Sequence, residues 1–417
     1  MNALPRMKAA SYEPGDFAAI EPLLPRPDPK LRAPPDFPFE RPIPVSETRL
    51  DGREGEYLAQ CIARNWISST GSFVTDFEKA FAARAGCGHG IACSSGTTAL
   101  HLALAAMGLG PGDEVVVPAF TMIAVPNAVA FTGARPVFAD IEPRTGNLDP
   151  AAAEAALTPH SRAIVAAQTY GHPADMEALA ALARRRGLAF IEDAAEAHGA
   201  RLGGRPAGSL GDAGAFSFYG NKIISTGEGG MITTDDAGYA ALARRLRDHA
   251  FSPVRHFWHE YRGFNYRMTN LQAAVGLAQT ERFDELVDIR RRNGLAYRAR
   301  LAGAPGLRVP DPLPGVEPVY WMNVVLVDAP RFGCDRDAAR AHLAARGVET
   351  RTAFIPLHLQ PIYRAAWRGR SFPVSEDWGR RGLLLPSGPW LTEAQIDYVC
   401  RALLDAPRAA REPGRGA

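Results

Sequence analysis

The sequence has few cysteines and no CxxC pair. Five of its 417 residues are cysteine, namely Cys61, Cys87, Cys93, Cys334 and Cys400. A small, odd number without paired spacing argues against a disulfide scaffold and against a zinc ribbon. We therefore expect a reducing, cytoplasmic environment and no structural metal.

The chain also lacks a charge excess of either sign. Its 47 Lys and Arg residues face 45 Asp and Glu residues, which leaves a formal net charge of +2. This balance excludes a strongly basic nucleic-acid-binding protein and an acidic disordered chain. Hydrophobic residues make up 46% and charged residues 22%, which is ordinary globular usage, and the length predicts two domains.

No uninterrupted hydrophobic run is long enough to predict a membrane span. Residues 93–112 and 115–134 are uncharged, but glycine and proline interrupt both segments, which is typical of buried core with turns. The first 30 residues carry Glu13, Asp16 and Glu21 and no apolar stretch of the kind a signal peptide needs. We expect a soluble protein without a membrane partner.

Lysine is the scarcest of the charged residues. The lysines are Lys8, Lys30, Lys79 and Lys222, so a single lysine follows position 79. Arginine can replace lysine in ion pairs, but its guanidinium stays protonated and cannot form a Schiff base. Lys222 is therefore a candidate reactive amine, with a chance surface lysine as the alternative.

The chain divides by composition. Eleven of the first 44 residues are proline, which predicts an extended arm over 1–44, or a disordered leader without function. From Cys93, strand-length apolar segments alternate with helix-like ones. The strand-length segments are Glu114–Pro118, Pro136–Ile141, Arg162–Ala167 and Leu188–Glu192.

This alternation is typical of an α/β fold with a mostly parallel sheet. Short strands with Gly-rich turns follow over 214–234, and amphipathic helices begin near residue 271. A strand at Tyr320–Val327 and helices at Arg336–Arg346 and Glu393–Leu404 complete the pattern. We predict a large α/β domain over 45–270, a smaller α+β domain over 271–408, and a tail over 409–417.

Three segments of the large domain have residues suited to one cofactor. Ser94–Leu100 places hydroxyls and Gly96 at the start of a helix, where free N–H groups bind phosphate, although such turns are often only helix caps. Asp193 follows a buried strand, where ligands of open sheets bind; a cap or a magnesium-binding pair with Glu192 are the alternatives. Lys222 follows an apolar strand that contains Ser217.

A phosphate seat, a carboxylate after a strand and a buried lysine are what pyridoxal 5′-phosphate (PLP) requires. The chain from about residue 45 to 365 also resembles the fold type I sugar aminotransferases of the DegT–StrS family. Seven segments carry the resemblance in order: SSGTTALHLAL, GPGDEVVVPAFT, IEDAAEAHG, GSLGD, FSFYGNK, TGEGGM and FNYRMTNLQAA. Within the family, these motif sequences are most similar to those of the GDP-perosamine synthases.

The resemblance implies a role for individual residues. Lys222 would be the Schiff-base lysine and the acid/base, and Asp193 would pair with the pyridine nitrogen. The phosphate would be held by Gly96, Thr97 and Ser217, and Glu196 would contact the ring hydroxyl. Asn265 would reach the phosphate of the neighbouring subunit, which implies a homodimer with shared sites. Met122 stands where the family usually has an aromatic residue over the ring.

The resemblance also implies the reaction. L-Glutamate would donate an amino group to a nucleotide-linked keto-deoxysugar, with GDP-4-keto-6-deoxymannose as the expected acceptor; another dTDP- or UDP-keto-sugar or a keto-cyclitol is the alternative. Residues that would line the acceptor pocket are Tyr170, His198, Glu228, Tyr320 and His358. Family members that dehydrate carry His in place of the lysine, which Lys222 argues against. Two other classes remain: a PLP-binding regulator without turnover, and a carboxylate–metal enzyme.

Overall fold

The computed structural model describes residues 20–411 of the chain. In chain order the strands are β1 (His89–Cys93), β2 (Glu114–Pro118), β3 (Arg135–Ala139), β4 (Ser161–Ala167), β5 (Ala189–Asp193), β6 (Arg201–Leu202), β7 (Arg205–Pro206), β8 (Ala213–Ser217), β9 (Gly230–Thr234), β10 (Leu307–Arg308), β11 (Val316–Glu317), β12 (Asn323–Val327), β13 (Arg351–Thr352) and β14 (Gly382–Leu385).

The helices alternate with these strands in the first half of the chain and dominate its second half. They are α1 (Glu54–Ala63), α2 (Ser72–Arg84), α3 (Gly96–Ala106), α4 (Ala124–Phe131), α5 (Pro150–Ala155), α6 (Met176–Arg186), α7 (Ala237–Arg247), α8 (Asn270–Glu281), α9 (Phe283–Leu301), α10 (Ala329–Phe332), α11 (Arg336–Ala344), α12 (Pro361–Arg364), α13 (Pro373–Arg381) and α14 (Glu393–Arg411).

A seven-stranded sheet is built by strands between residues 89 and 234. Its order is β1-β9-β8-β5-β4-β2-β3, and the neighbours from β8 to β3 run parallel, while β9 is antiparallel to both β8 and β1. Every residue of β2 is buried, because helices cover both faces of a parallel sheet. The predicted α/β fold with a mostly parallel sheet is confirmed.

Local signals fix where the strand that carries Asp193 begins. Helix α6 starts after Asp175, whose carboxylate accepts the N–H of Ala178 at 3.0 Å, as N-cap residues do. It ends at Gly187, which adopts a left-handed φ of 65°, a conformation that glycine adopts without a steric penalty. The chain reverses there and enters β5 directly.

The second half of the chain builds a smaller antiparallel sheet of order β10-β12-β14-β13. Helices α9, α11 and α14 pack on it around a buried aliphatic core that includes Val325, Leu343 and Leu403. The predicted long amphipathic segment is two helices, α8 and α9, which meet at Arg282.

The described part of the Pro-rich arm lies against this smaller domain. It includes a short 3₁₀ turn at Glu21–Leu23. The N–H of Arg32 donates to the carbonyl of Ala344 at 2.9 Å, and the fully buried Ile43 forms a β-bridge with Val348. Residues 1–19 of the predicted arm and 412–417 of the predicted tail lie outside the described residues.

Within residues 20–411, no helix combines the length and the apolar character that crossing a membrane requires.

Candidate active site

The site is built where the carboxyl ends of two parallel strands meet the start of a helix. Asp193 is the last residue of β5 and Ser217 the last of β8, and the two strands are neighbours with Asp193 opposite Ala215. Helix α3 begins beside them at Gly96. Open α/β sheets bind their ligands at such an edge.

Lys222 lies in the loop after β8 with only 9% of its surface exposed. Its Nζ is 3.6 Å from Glu196 Oε1 and 3.8 Å from the centre of the Trp321 ring. Burial lowers the pKa of Lys222, and the carboxylates of Glu196 and Asp193 oppose that change without cancelling it. The amine is therefore easier to deprotonate than that of an exposed lysine.

Two carboxyl groups share this buried volume with the lysine. Asp193 Oδ1 accepts the N–H of Ala195 at 3.1 Å, and Glu196 Oε2 accepts the N–H of Tyr170 at 2.8 Å. Burial raises the pKa of Asp193 and raises that of Glu196 to about 7, in each case against the attraction of Lys222. Near neutral pH, Glu196 can therefore hold or release a proton.

The start of α3 and the end of β8 pack side by side at the candidate phosphate seat. Ser95 caps the helix in a reciprocal arrangement with Thr98, in which each side chain accepts the other's backbone N–H. A Cβ on Gly96 would lie 2.6 Å from the Cβ of Ser217, so only glycine lets the two segments approach this closely. The seat combines the first N–H groups of a helix with the hydroxyls of Thr97 and Ser217, a donor set suited to a phosphate.

These groups together fit PLP. The phosphate seat, the carboxylate of Asp193 and the amine of Lys222 all belong to one edge of the sheet, and Gly96 packs so closely on Ser217 that a side chain at position 96 would push the two segments apart. Individual cofactor contacts remain predictions, including those of Met122, which is about half exposed just before α4.

Trp321 is a site residue that the sequence reasoning missed. Its indole Nε1 donates to the carbonyl of Asn221 at 2.9 Å, and its ring covers the Lys222 amine. Trp321 lies between β11 and β12, about a hundred positions beyond Lys222 in the chain. The only signal in the sequence was an aromatic pair, Tyr320 and Trp321, at the start of the strand predicted over Tyr320–Val327, which in the structure begins at Asn323.

Three of the predicted acceptor-pocket residues are buried. Tyr170 stacks on Phe354 at 5.1 Å between ring centroids, and its hydroxyl accepts the N–H of Phe354 at 3.0 Å. His198 is enclosed by phenylalanine rings, and burial lowers its pKa to about 3. His358 Nε2 contacts Glu376 Oε1 at 3.1 Å. Their placement favours packing roles, and sugar contact by these residues stays a prediction.

The other predicted contact residues lie nearer the surface. Glu228 and Asn265 are exposed, and Tyr320 is half-buried. Asn265 pairs only through its backbone, in an isolated bridge with Asp248. An exposed Asn265 is free to reach another subunit, as predicted, but the contact itself is a prediction.

Glu192 and Asp193 do not form a metal site. Consecutive strand residues point to opposite faces of a sheet, and Glu192 accepts hydrogen bonds from Gln168 Nε2 and from the N–H of Leu210, each at 3.1 Å. Across the described part of the chain, no group of three or more His, Cys, Asp or Glu side chains is placed to hold a metal ion. The carboxylate–metal alternative has no support in the geometry.

The sheet, the phosphate seat and the buried lysine beside two carboxylates define a PLP-dependent aminotransferase of fold type I. Residues 48–404 match the DegT/DnrJ/EryC1/StrS aminotransferase family, and the chain belongs to this family. The prediction of a PLP-dependent sugar aminotransferase is confirmed.

Individual relatives agree with this assignment. The GDP-perosamine synthase of Caulobacter vibrioides is 50% identical over 364 residues, which are 87% of this chain and 97% of that protein. That of Escherichia coli O157:H7 is 39% identical over 361 residues, 87% and 97% of the two chains. A crystal structure of DesI, determined in the presence of its TDP-sugar product, superposes with a TM-score of 0.84 at 37% identity, covering 90% of this chain and 96% of DesI.

Proposed function

We propose that this protein transfers an amino group from L-glutamate to the keto carbon of GDP-4-keto-6-deoxymannose. The observation that carries the proposal is the 50% identity to the Caulobacter vibrioides GDP-perosamine synthase across 97% of that enzyme. The buried lysine and carboxylates supply the groups that amino transfer requires.

The chain's own residues would hold PLP at the edge of the central sheet. Gly96, Thr97 and Ser217 would bind the phosphate, Asp193 would keep the pyridine nitrogen protonated, and Glu196 would contact the ring hydroxyl. When bound, PLP accepts electrons from the carbon that bears the transferred amino group.

The protein then has to move protons and exclude water. The lowered pKa of Lys222 leaves its amine able to take a proton from substrate and return it to a neighbouring carbon. Glu196, 3.6 Å away with a pKa of about 7, can exchange a proton with that amine. Burial of both groups keeps bulk water from competing for those protons.

We further propose a homodimer in which Asn265 completes the partner's phosphate seat. Exposed apolar side chains precede Asn265 in the chain: Val254, Phe257, Trp258 and Tyr261 are 92%, 74%, 55% and 51% exposed. Such a concentration of exposed apolar surface is typical of a protein interface.

We also propose that the chain is divided into a large domain over 45–270 and a smaller domain over 271–408.

A dTDP- or UDP-linked keto sugar is the second candidate acceptor, because the structurally similar DesI was determined with a TDP-sugar product. The test supplies the purified enzyme with PLP and L-glutamate and offers GDP-4-keto-6-deoxymannose, its dTDP and UDP counterparts, and a keto-cyclitol. We expect kcat/KM to be highest for the GDP sugar. A preference for another nucleotide would replace the acceptor, and amination of none would contradict the proposed reaction.

A further inference from the structure

Trp321, which lies between β11 and β12, covers the amine of Lys222. Its ring lies 3.8 Å from Lys222 Nζ, and the indole is buried. A protonated amine on the face of an indole is stabilised by the ring's electrons, whereas a neutral amine gains little. The ring is held in this orientation by the 2.9 Å hydrogen bond from its Nε1 to the carbonyl of Asn221, the residue before Lys222.

A buried arginine is connected to Trp321 and to the residue before Lys222 through hydrogen bonds of two serines. Arg290 of α9 is 2% exposed, and burial alone lowers its pKa to about 9. In the part of the chain that the structure describes, no carboxylate pairs with it; its hydrogen bonds run to Ser387 Oγ at 3.1 Å and Ser46 Oγ at 3.4 Å. A buried guanidinium without a carboxylate partner is costly.

Both serines in turn donate hydrogen bonds to backbone carbonyls, those of Trp321 and Asn221. Ser387 Oγ donates to the carbonyl of Trp321 at 2.8 Å, and Ser46 Oγ donates to the carbonyl of Asn221 at 3.4 Å. The arginine is therefore connected, through one hydroxyl each, to the backbone of the residue that covers the amine and of the residue that precedes it.

We propose that Trp321 is a positioning residue that holds the Lys222 amine and favours its protonated form, and that Arg290 fixes Trp321 through Ser387. The proposal rests on the proposed function only in taking Lys222 as the reactive amine. The titratable groups that face Lys222 are Glu196 and Asp193, with His198 close behind. All three are retained in the variants below.

The scarcity of lysine makes the test direct. With only four lysines in the chain, biosynthetic ¹³C-lysine labelling gives few Cε resonances, and Lys222→Arg identifies that of Lys222. In the full-length protein without PLP, we expect Trp321→Leu to move the Lys222 titration midpoint down by about half a unit to one unit of pH, from the strength of a desolvated cation–π contact.

Conservative variants separate positioning from simple filling of space. Trp321→Phe keeps an aromatic face and should restore most of the midpoint, while Ser387→Ala keeps every charge and should lower it by a smaller amount. Trp66→Leu, which removes a half-exposed indole, is the matched control and should leave it unchanged. Far-UV circular dichroism of each variant reports whether the fold is intact.

An unchanged or raised midpoint in Trp321→Leu would overturn the proposal, since the ring would then act only by excluding water. Equal values for the Leu and Phe variants would also overturn it. These readings come from the amine itself and are independent of the acceptor. If the wild-type protein does not take up PLP on Lys222, the proposed function fails instead, and the two failures are distinguishable.

Discussion

Gly96 and Ser217 are in such close contact that a single methyl group on Gly96 would lie 2.6 Å from the Cβ of Ser217. Cβ atoms do not approach one another so closely, so a side chain at position 96 has to push β8 and α3 apart. The first N–H groups of α3 and the Ser217 hydroxyl would then no longer face one phosphate.

Gly96→Ala should therefore weaken PLP binding by about tenfold or more, since it separates phosphate donors that each contribute a charge-assisted hydrogen bond. The affinity is measured by titrating the PLP-free protein. Gly55→Ala is the matched control, because no atom lies within 4 Å of the added methyl. Unchanged affinity in the Gly96 variant would place the phosphate elsewhere.

Lys222→Ala should abolish turnover and remove the visible absorption that PLP gains when it is bound to a lysine. The reason is that, among the described residues, Lys222 is the lysine whose amine lies beside Glu196, whereas Lys30 and Lys79 are exposed. The exposed Lys79 provides the control, and Lys79→Ala should behave as wild type. Substantial residual catalysis in Lys222→Ala would refute the assignment of this residue.

Asp193→Asn should lower kcat by about a hundredfold or more, because a neutral amide cannot keep the pyridine nitrogen of PLP protonated. Steady-state kinetics with L-glutamate give the comparison. Glu192→Gln changes the adjacent carboxylate, whose partners are Gln168 and Leu210 on the other face of β5, and should cost only a few-fold. Equal losses in both variants would mean that strand integrity, not the pyridine contact, is being measured.

The pH dependence of stability should reveal the buried His198. Its pKa is lowered to about 3 by burial, whereas an unfolded histidine titrates near 6.5. The unfolded chain therefore binds the extra proton first, and stability is lost as the pH falls below 6.5. In His198→Phe this loss disappears, so the variant should gain about 2 kcal/mol relative to wild type between pH 6.5 and pH 5.

Urea unfolding at pH 8, 6.5 and 5 tests this. Between pH 8 and 7 the imidazole is neutral in both states, and the difference between the proteins should stay constant. Glu192 and Glu196, whose pKa values burial raises to about 7, are present in both proteins and cancel. A difference that does not grow toward pH 5 would show that His198 is protonated in the fold.

Mixed dimers test the shared site. Asn265→Ala and Lys222→Ala should each be impaired alone, but a heterodimer of the two contains one site with both native residues. After random mixing, activity should recover to about a quarter of wild type, if the dimer is symmetric with two equivalent sites. No recovery on mixing would mean that Asn265 acts within its own subunit.

Part of the fold follows from local signals alone. The strand predicted at Glu114–Pro118 has those bounds in the structure, because its apolar run is buried on both faces and ends in turn residues. Helix α2 was not predicted, although Phe73, Phe77 and Phe81 recur on one face, because charged residues interleave with them. Local pattern finds elements that bury both faces more readily than amphipathic ones.

The residues of the candidate site could likewise be predicted only in part from the sequence. Lys222 could be singled out because lysine is scarce, and Asp193 because it follows a buried strand. Trp321 could not, since its place over Lys222 depends on packing between segments about a hundred positions apart in the chain. His198 stands in a segment typical of the family, yet the packing of Phe81, Phe216 and Phe218 around it is a property of the folded core.

The bridge between Ile43 and Val348 has a consequence for how the chain is made. Ile43 leaves the ribosome roughly 300 residues before Val348, which completes the pocket that buries it, a delay of about 15–60 s at ~5–20 residues per second. Until then the apolar side chain of Ile43 stays exposed to solvent. We expect the segment to need shielding during synthesis, and a chain shortened to begin after Ile43 to leave a hole in the smaller domain's core.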